Sequence, residues 1–527
     1  MTADRRDFRV AILGAGFGGL GMAIRLKETG FGDFVVFERD EEVGGTWWAN
    51  TYPGCQCDIP SHLYSYSFAL NPEWSRTYPL QPEIRDYLRE CADRYGVRPH
   101  LRLGCAIERA EWDEEARAWR LETSDGTFTV GVVIAAPGAL SEPRIPELPG
   151  LESFTGTVFH TAAWNHDHDL TGRKVAVVGT GASAIQTVPR IQPIAEHVTV
   201  FQRTPPWVVP HRDRPITSVE RALYRRVPTA QRTVRSAVYL GRELLVTGMA
   251  YRPQLMNVLQ RAAEAHLAKQ VADPELRAKL TPDYVLGCKR ILPSNNWYPA
   301  ITQPNVELVP SAVTEVRPEG VVGADGVVRE VDTLIFATGF HVTDVRFAQF
   351  IRGRDGARLD ELWQGSPQAY RGASVPGFPN LFWIVGPNTG LGHNSMVFMI
   401  EAQINYLLDA LETMERSGAS EVEVRPDAYE AYNAHLQSRL DGTVWNTGGC
   451  SSWYLDANGR NATIWPDFTF RFWEQTRRFD APAYELRGVT GRGAGRRGDG
   501  PLGIHASPDG PAATSSGGRR EAAPIPG

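Results

Sequence analysis

Gly14, Gly16 and Gly19 stand in GxGxxG spacing within FRVAILGAGFGGLGMAIRLKETG, directly after an apolar run and at the head of a stretch of small and apolar residues. That spacing suits a phosphate. The first glycine permits a tight turn, the second lets backbone N–H groups approach a pyrophosphate, and the third lets helix and strand pack closely. An anion there also meets the unpaired N–H groups and the positive end of the helix dipole. Glu38 closes the next apolar run, FVVFERD, where a carboxylate can hold ribose hydroxyls.

The arrangement recurs in RKVAVVGTGASAIQTVPRI. Gly179 and Gly181 keep the spacing, and Ala184 takes the third place, which the fingerprint tolerates. The run that follows, HVTVFQRT, ends in Arg203 and Thr204 instead of an acid. A guanidinium at that place suits a 2′-phosphate. The acid-ended site reads as one for FAD and the Arg-ended site as one for NADPH, which is a flavoprotein layout.

Such loops need strand–turn–helix–strand units to hold them, so the fold class is α/β, with two Rossmann-like dinucleotide-binding domains. VGVVIAAPGAL and VDTLIFATGF read as further buried strands, each ending at a glycine turn. The expected organisation is a first part of an FAD-binding domain over 1–146 and an NADP-binding domain over 147–344. A helical insertion occupies about 216–282 of the latter. The FAD-binding domain is completed over 345–486, and 487–527 forms a disordered tail. The insertion is rich in Arg and Leu at helical spacing, with eleven basic residues against five acidic ones, and reads as a solvated helix face rather than a membrane-surface one. The tail, RGVTGRGAGRRGDGPLG onward, has almost no large apolar residues with which to build a core.

With 527 residues, 42% hydrophobic and 22% charged, the chain fits a globular protein of two to four domains. A net charge of −6 argues against nucleic acid as the main partner. The six cysteines, Cys55, Cys57, Cys91, Cys105, Cys288 and Cys450, contain no CxxC pair. That spacing suggests neither a disulfide framework nor a metal site, and points to a reducing compartment. The strand that leads into the first glycine loop begins within a dozen residues of Met1, so no signal peptide is expected, and no apolar run is long enough to span a membrane. A cytoplasmic enzyme is expected.

Two further stretches carry a family resemblance. FTGTVFHTAAW places Phe154, Gly156, His160 and Trp164 in FxGxxxHxxxW spacing. GGTWWANTYPGCQCD holds Gly44, Gly45, Trp47, Tyr52, Pro53, Gly54 and Asp58. On these motifs the chain resembles the class B flavoprotein monooxygenases, specifically the type I Baeyer–Villiger monooxygenase family, over about residues 8 to 480. It departs from the family at Asn165, where Pro or Asp is usual.

The resemblance implies an enzyme that uses FAD, NADPH and O2 to insert one oxygen atom beside a ketone carbonyl, giving an ester or lactone by way of a flavin C4a-peroxide. It implies that Arg290, in LGCKRILPSNNWYPAI, is the catalytic arginine that stabilises this anion, with Asp58 pairing to it and lying at the flavin. Lys289 would meet the 2′-phosphate. Thr46, Trp47 and Tyr64 would line the FAD, while Gln56, Thr180, Ser183 and Gln186 would contact NADP. Trp453, in GGCSSWYLD, would lie near the nicotinamide, and GPNTGLGHNSM near the flavin. Phe154, Gly156, His160 and Trp164 would form a hinge between the domains, with His160 neither acid nor base. The nearest alternative is S- or N-oxygenation by the same class of enzyme. Further rivals are a flavin-dependent disulfide reductase, which the lack of CxxC opposes, and a non-catalytic NADPH sensor, which would not require Arg290 or Asp58.

Overall fold

The computed structural model describes residues 6–488. Two sheets organise them. In the first, Phe8–Leu13 lies between Phe34–Phe37 and Gly126–Ala135, all parallel. The chain then builds a second, five-stranded sheet in the order Val306–Val309, His197–Phe201, Lys174–Val178, Thr333–Phe336, Thr157–His160, with every pairing parallel. It finally returns to the first sheet: Leu381–Trp383 pairs parallel with Gly126–Ala135, and Ile351–Arg352 with Ile107–Asp113. Strands such as FVVF and TLIF are buried along their whole length, as parallel strands covered on both faces must be.

The helix Phe17–Glu28 follows the first glycine loop and buries nine of its twelve residues. Its packing explains the third glycine, because a Cβ on Gly19 would lie 1.8 Å from the Gly14 carbonyl oxygen. Gly14 itself has φ +104°, a backbone that L side chains rarely adopt. The helix Ala182–Ile191 plays the same part on the second sheet, with Ala184 fully buried where the first unit has Gly19.

One element of the first sheet has no sign in the glycine-loop pattern. Ile107–Asp113 and Ala118–Thr123 form an antiparallel hairpin that extends the sheet through Gly126–Ala135. Trp112 and Trp119 face each other across it with ring centroids 5.7 Å apart.

The insertion is helical, as expected: Ser218–Arg226, Pro228–Val246, Met256–Gln270 and Pro274–Leu280, with a π-helical turn at Thr247–Tyr251. Thr217 and Glu220 close its first helix with a capping box. Its arginines do not all form a solvated face, however. Arg235 turns inward and donates to the carbonyls of His62, Leu63 and Ser65, which fastens Pro228–Val246 to the first nucleotide unit.

Beside the cores on the faces of the two sheets lies a further apolar cluster. It is drawn from the insertion (Met249, Met256), the segment before Arg290 (Leu286, Cys288) and the late chain (Trp445, Tyr454). Cys288 and Cys450 are joined there by a disulfide across 162 positions. This corrects the expectation of unpaired thiols and removes the support it lent to a reducing compartment. Cys55, Cys57, Cys91 and Cys105 are free and buried. Among the described residues no helix is long and apolar enough to cross a membrane. The expected tail lies outside the described residues from 489 on. Arg487 belongs to the body instead, as the end of a strand paired with Glu421–Val424.

Candidate active site

Asp58 and Arg290 stand at the junction of these parts. Arg290 follows the disulfide-bonded Cys288 and precedes the short strand Leu292–Pro293, which pairs with Val208–Val209. Its Nε and one terminal nitrogen donate to both oxygens of Asp58, each at 2.7 Å. Its other terminal nitrogen donates to the Leu391 carbonyl at 2.8 Å. This fork is the strong geometry for a guanidinium and a carboxylate. Burial pushes the Asp58 carboxyl up, but the charge and hydrogen bonds of Arg290 outweigh it and hold the group below the usual carboxylate range. Burial works against the Arg290 charge too, yet Asp58 drives its proton affinity above the ordinary value. Both side chains remain about a quarter exposed, so the pair is reachable.

The first glycine loop has what an FAD pyrophosphate needs. Gly16 opens Phe17–Glu28 with no side-chain cap, leaving the helix N–H groups uncovered. Gly45 crosses it so closely that a Cβ there would come within 3.0 Å of the Gly16 Cα, so the two loops form a cradle lined by backbone. Glu38 is buried and accepts from the backbone N–H groups of Ala15 at 2.6 Å and Asp40 at 3.0 Å. Burial raises its carboxyl above the usual value. Thr46 opens the turn of helix after Gly45. Trp47 donates through its indole to the Tyr64 hydroxyl at 3.0 Å, and Tyr64 in turn packs on Phe17 at 5.1 Å. These residues gather around the first loop and fit an FAD.

At the second loop, Gly181 opens Ala182–Ile191, again without a side-chain cap, just after Gly179 in its tight turn. Thr180 donates to the Thr204 carbonyl at 3.2 Å, and Ser183 accepts from Thr161 at 3.1 Å. Burial and the neighbouring Arg203 together push the Lys289 ammonium below its ordinary value. Two cations that feel each other's charge suit a dianion, and the donor set fits the 2′-phosphate of NADPH.

Gln56 and Gln186 also meet, but their side chains are engaged with the protein. Gln186 accepts from the Tyr52 hydroxyl and donates to the Gln56 carbonyl, while the Gln56 amide reaches Tyr78 and Asp213. They tie the Gly54–Asp58 loop to the helix of the second unit. Trp453 stands apart, 46% exposed, and meets Tyr454 edge-on.

The segment from Phe154 to Trp164 forms the edge strand Thr157–His160 and a turn. Phe154 packs on one core of the second sheet, and a Cβ on Gly156 would meet the Asp332 carbonyl at 2.3 Å. His160 accepts from the Ala162 N–H at 3.0 Å, and burial pushes its ring down to about 4, so it is neutral at neutral pH. Trp164 packs against the cores of both nucleotide units.

Three groups at the site went unnoticed in the sequence. Tyr454 is buried with no partner for its hydroxyl among the described residues, within the electrostatic reach of Arg290. Its only advance signal was the place next to Trp453. Arg242 and Glu243, on the insertion, reach Asp58 and the loop at His393. Helical spacing offered no signal for them.

A sequence profile of the pyridine nucleotide-disulphide oxidoreductases matches residues 11–244. Over 479 residues the chain is 51% identical to a Baeyer–Villiger monooxygenase of Streptomyces coelicolor, covering 91% of this chain and 92% of that one. The chain belongs to the Baeyer–Villiger monooxygenase family. Solved members share its fold. The cyclohexanone monooxygenase of Rhodococcus sp. Phi1, bound to NADP+, superposes with a TM-score of 0.79 at 29% identity, over 91% of this chain and 99% of that one. OTEMO, in complex with FAD and NADP, gives 0.82 at 27% identity, over 92% and 100%.

Within this family the thiols here are no disulfide-reducing pair. Cys55 and Cys57 are buried, and burial pushes the Cys55 thiol up to about 12 and the Cys57 thiol well above its ordinary value. Such thiols are poor nucleophiles.

Proposed function

We propose that this family member binds FAD at Gly14–Gly19 and Glu38, and NADPH at Gly179–Gly181, Arg203 and Lys289. With both bound it converts a ketone to an ester or lactone by inserting one atom of O2 beside the carbonyl. The observation that carries this reading is the forked Asp58–Arg290 pair, fixed and charged yet still reachable. The bound flavin supplies the activation of dioxygen, with NADPH as the source of reducing equivalents.

The chain's own contribution is electrostatic and positional. Arg290 holds a permanent positive charge where oxyanions form when oxygen adds to a carbonyl, and it has no proton to give up at neutral pH. Asp58 fixes the orientation of that charge and occupies two of its donors, so the remaining face is aimed rather than free to rotate. The buried wall of Leu391 and Tyr454 limits water around the pair. On the NADPH side, Arg203, Thr204 and Lys289 select for the 2′-phosphate. Trp164, touching both cores, and neutral His160 make the segment between the two units a packed joint that can transmit their relative rotation.

The test is mass spectrometry with labelled dioxygen on cyclic, aryl and linear ketones beside matched sulfides. One labelled oxygen in an ester or lactone is the expected result. Sulfoxides throughout, with no ester from any ketone, would move the chain to heteroatom oxygenation.

A further inference from the structure

We infer that Arg242 and Glu243, consecutive residues of the helix Pro228–Val246, are positioning residues that hold the two backbone walls of the Arg290 site in register. The inference rests on the reading of Arg290 and Asp58 given above. Arg242 donates through one terminal nitrogen to the Asp58 carbonyl at 2.8 Å and through the other to the His393 carbonyl at 3.3 Å. Arg290 bridges the same two segments, with its fork on the Asp58 carboxylate and its third donor on the Leu391 carbonyl. The four groups close a ring. Asp58 is gripped by its side chain from one arginine and by its backbone from the other, while the 391–393 loop is held by both.

Glu243 completes the grip. It is 5% exposed, and its carboxylate accepts from Asn394 Nδ2 at 2.6 Å, Thr469 Oγ1 at 2.8 Å, the Thr469 backbone N–H at 2.9 Å and His393 Nε2 at 3.3 Å. A carboxylate can only accept, so His393 carries its proton on Nε2. One glutamate thus fixes the side chains of His393 and Asn394 and the N-terminal end of the helix Thr469–Thr476.

The chemistry of this arrangement argues for positioning over simple packing. Apolar residues would join a helix to its neighbours at lower desolvation cost than a buried arginine and glutamate. Neither residue spends its charge on the other. Arg242 directs its donors at the backbone of Asp58 and of the loop to which Arg290 also bonds, and Glu243 fixes side chains of that loop, which is what preorganising a site to within a fraction of an ångström requires. The insertion therefore serves the site it overhangs: it sets the separation between Asp58 and the 391–394 loop.

The experiment compares Arg242→Ala, Arg242→Lys and Glu243→Gln with the unmutated holoenzyme. It reads FAD content, melting temperature, NADPH consumed, ester formed, hydrogen peroxide released, and hydrogen–deuterium exchange over residues 55–60 and 390–395. In Arg242→Ala the fraction of NADPH that yields ester is expected to fall about tenfold, with hydrogen peroxide making up the balance, since small misplacements at a reacting centre are costly. FAD content is expected to stay near normal, and exchange is expected to rise in both segments together. Arg242→Lys should recover part of the coupling. Unchanged coupling and exchange in Arg242→Ala would overturn the proposal. So would a uniform rise in exchange across the chain with coupling intact, which marks a merely structural role. If Arg242→Ala does not fold, the near-isosteric Glu243→Gln and Arg242→Lys decide: lowered coupling supports the proposal and full coupling in both overturns it. The exchange measurement needs no turnover. An unmutated enzyme that makes no ester would therefore sink the functional reading while leaving the clamp itself under test.

Discussion

Asp58 and Arg290 lie 232 positions apart in the chain and meet through two parallel hydrogen bonds of 2.7 Å. Neither could be placed there by local structure. Asp58 rides on the loop that follows Gly54, fastened by the Cys57 N–H to the Pro79 carbonyl and by Gln186 to the second nucleotide unit. Arg290 arrives between a disulfide and a two-residue strand. The pair is thus a joint between the two units as well as the charge at the site, and removing either partner leaves the other partly buried without its counter-ion.

For Arg290→Ala the expected outcome is near-normal FAD content and NADPH-driven flavin reduction, with ester formation down by about 10²–10³, the usual cost of losing one preorganised oxyanion donor. Arg290→Lys keeps a charge but not the fork and should fall between. Rapid-reaction absorbance for the reduction, with product analysis by chromatography, checks both halves. Ester yield within a factor of about two of the unmutated enzyme would remove Arg290 from the chemistry.

Cofactor choice follows from Arg203, Thr204 and Lys289. Each charge-assisted bond to a phosphate contributes about 1.5–3 kcal/mol, so NADPH should be preferred over NADH by well over tenfold in kcat/KM. Arg203→Ala should raise the KM for NADPH about tenfold or more and leave that for NADH nearly unchanged. Steady-state kinetics with both cofactors decides, and equal efficiency in the unmutated enzyme would contradict the reading.

The glycine loops were legible because their constraint is local. Gly19 must lack a Cβ for its helix to approach Gly14 at all, and the flanking apolar runs mark the strands on either side. Asp58 and Arg290 were reached only through a family resemblance, since an Asp in a turn and an Arg after a Lys carry no spacing signal of their own. Arg242 and Glu243 stayed hidden for a related reason. On a half-exposed helix of mixed polar and apolar residues, nothing in composition distinguishes an arginine that faces water from one that grips a carbonyl 184 positions away. The Cys288–Cys450 bridge was missed because pairing across 162 positions depends on how the late chain returns, which no motif encodes.

That bridge makes a direct expectation. Alkylation of the denatured, unreduced protein should modify four of the six cysteines, Cys55, Cys57, Cys91 and Cys105, and peptide mapping should recover Cys288 and Cys450 joined. Reduction before alkylation should raise the count to six. Six modified cysteines without reduction would show that the pair is not bonded in the isolated protein.

The last expectation concerns acid. His160 is 3% exposed, and its Nδ1 accepts the Ala162 N–H, so protonating the ring both charges a buried group and destroys the acceptor. Burial accordingly lowers its proton affinity from an ordinary 6.5 to about 4. The unfolded chain therefore binds the proton more tightly than the folded one. His160 contributes stability that is fully present above about pH 6.5 and is lost as the pH falls towards 4. His62, also pushed down to about 4 by burial, acts in the same sense, so the unmutated protein should lose melting temperature steadily across that window. In His160→Asn an amide oxygen can take the place of Nδ1 as the acceptor while removing the titration. The variant should show a shallower fall in melting temperature between pH 6.5 and 4, with its value at pH 7.5 lowered by only a few degrees, as about 1 kcal/mol shifts a domain of this size. Differential scanning calorimetry in matched buffers measures both. An unchanged slope in the variant would mean that the ring is already free to take up its proton in the folded protein, and that the turn after Thr157–His160 opens without cost.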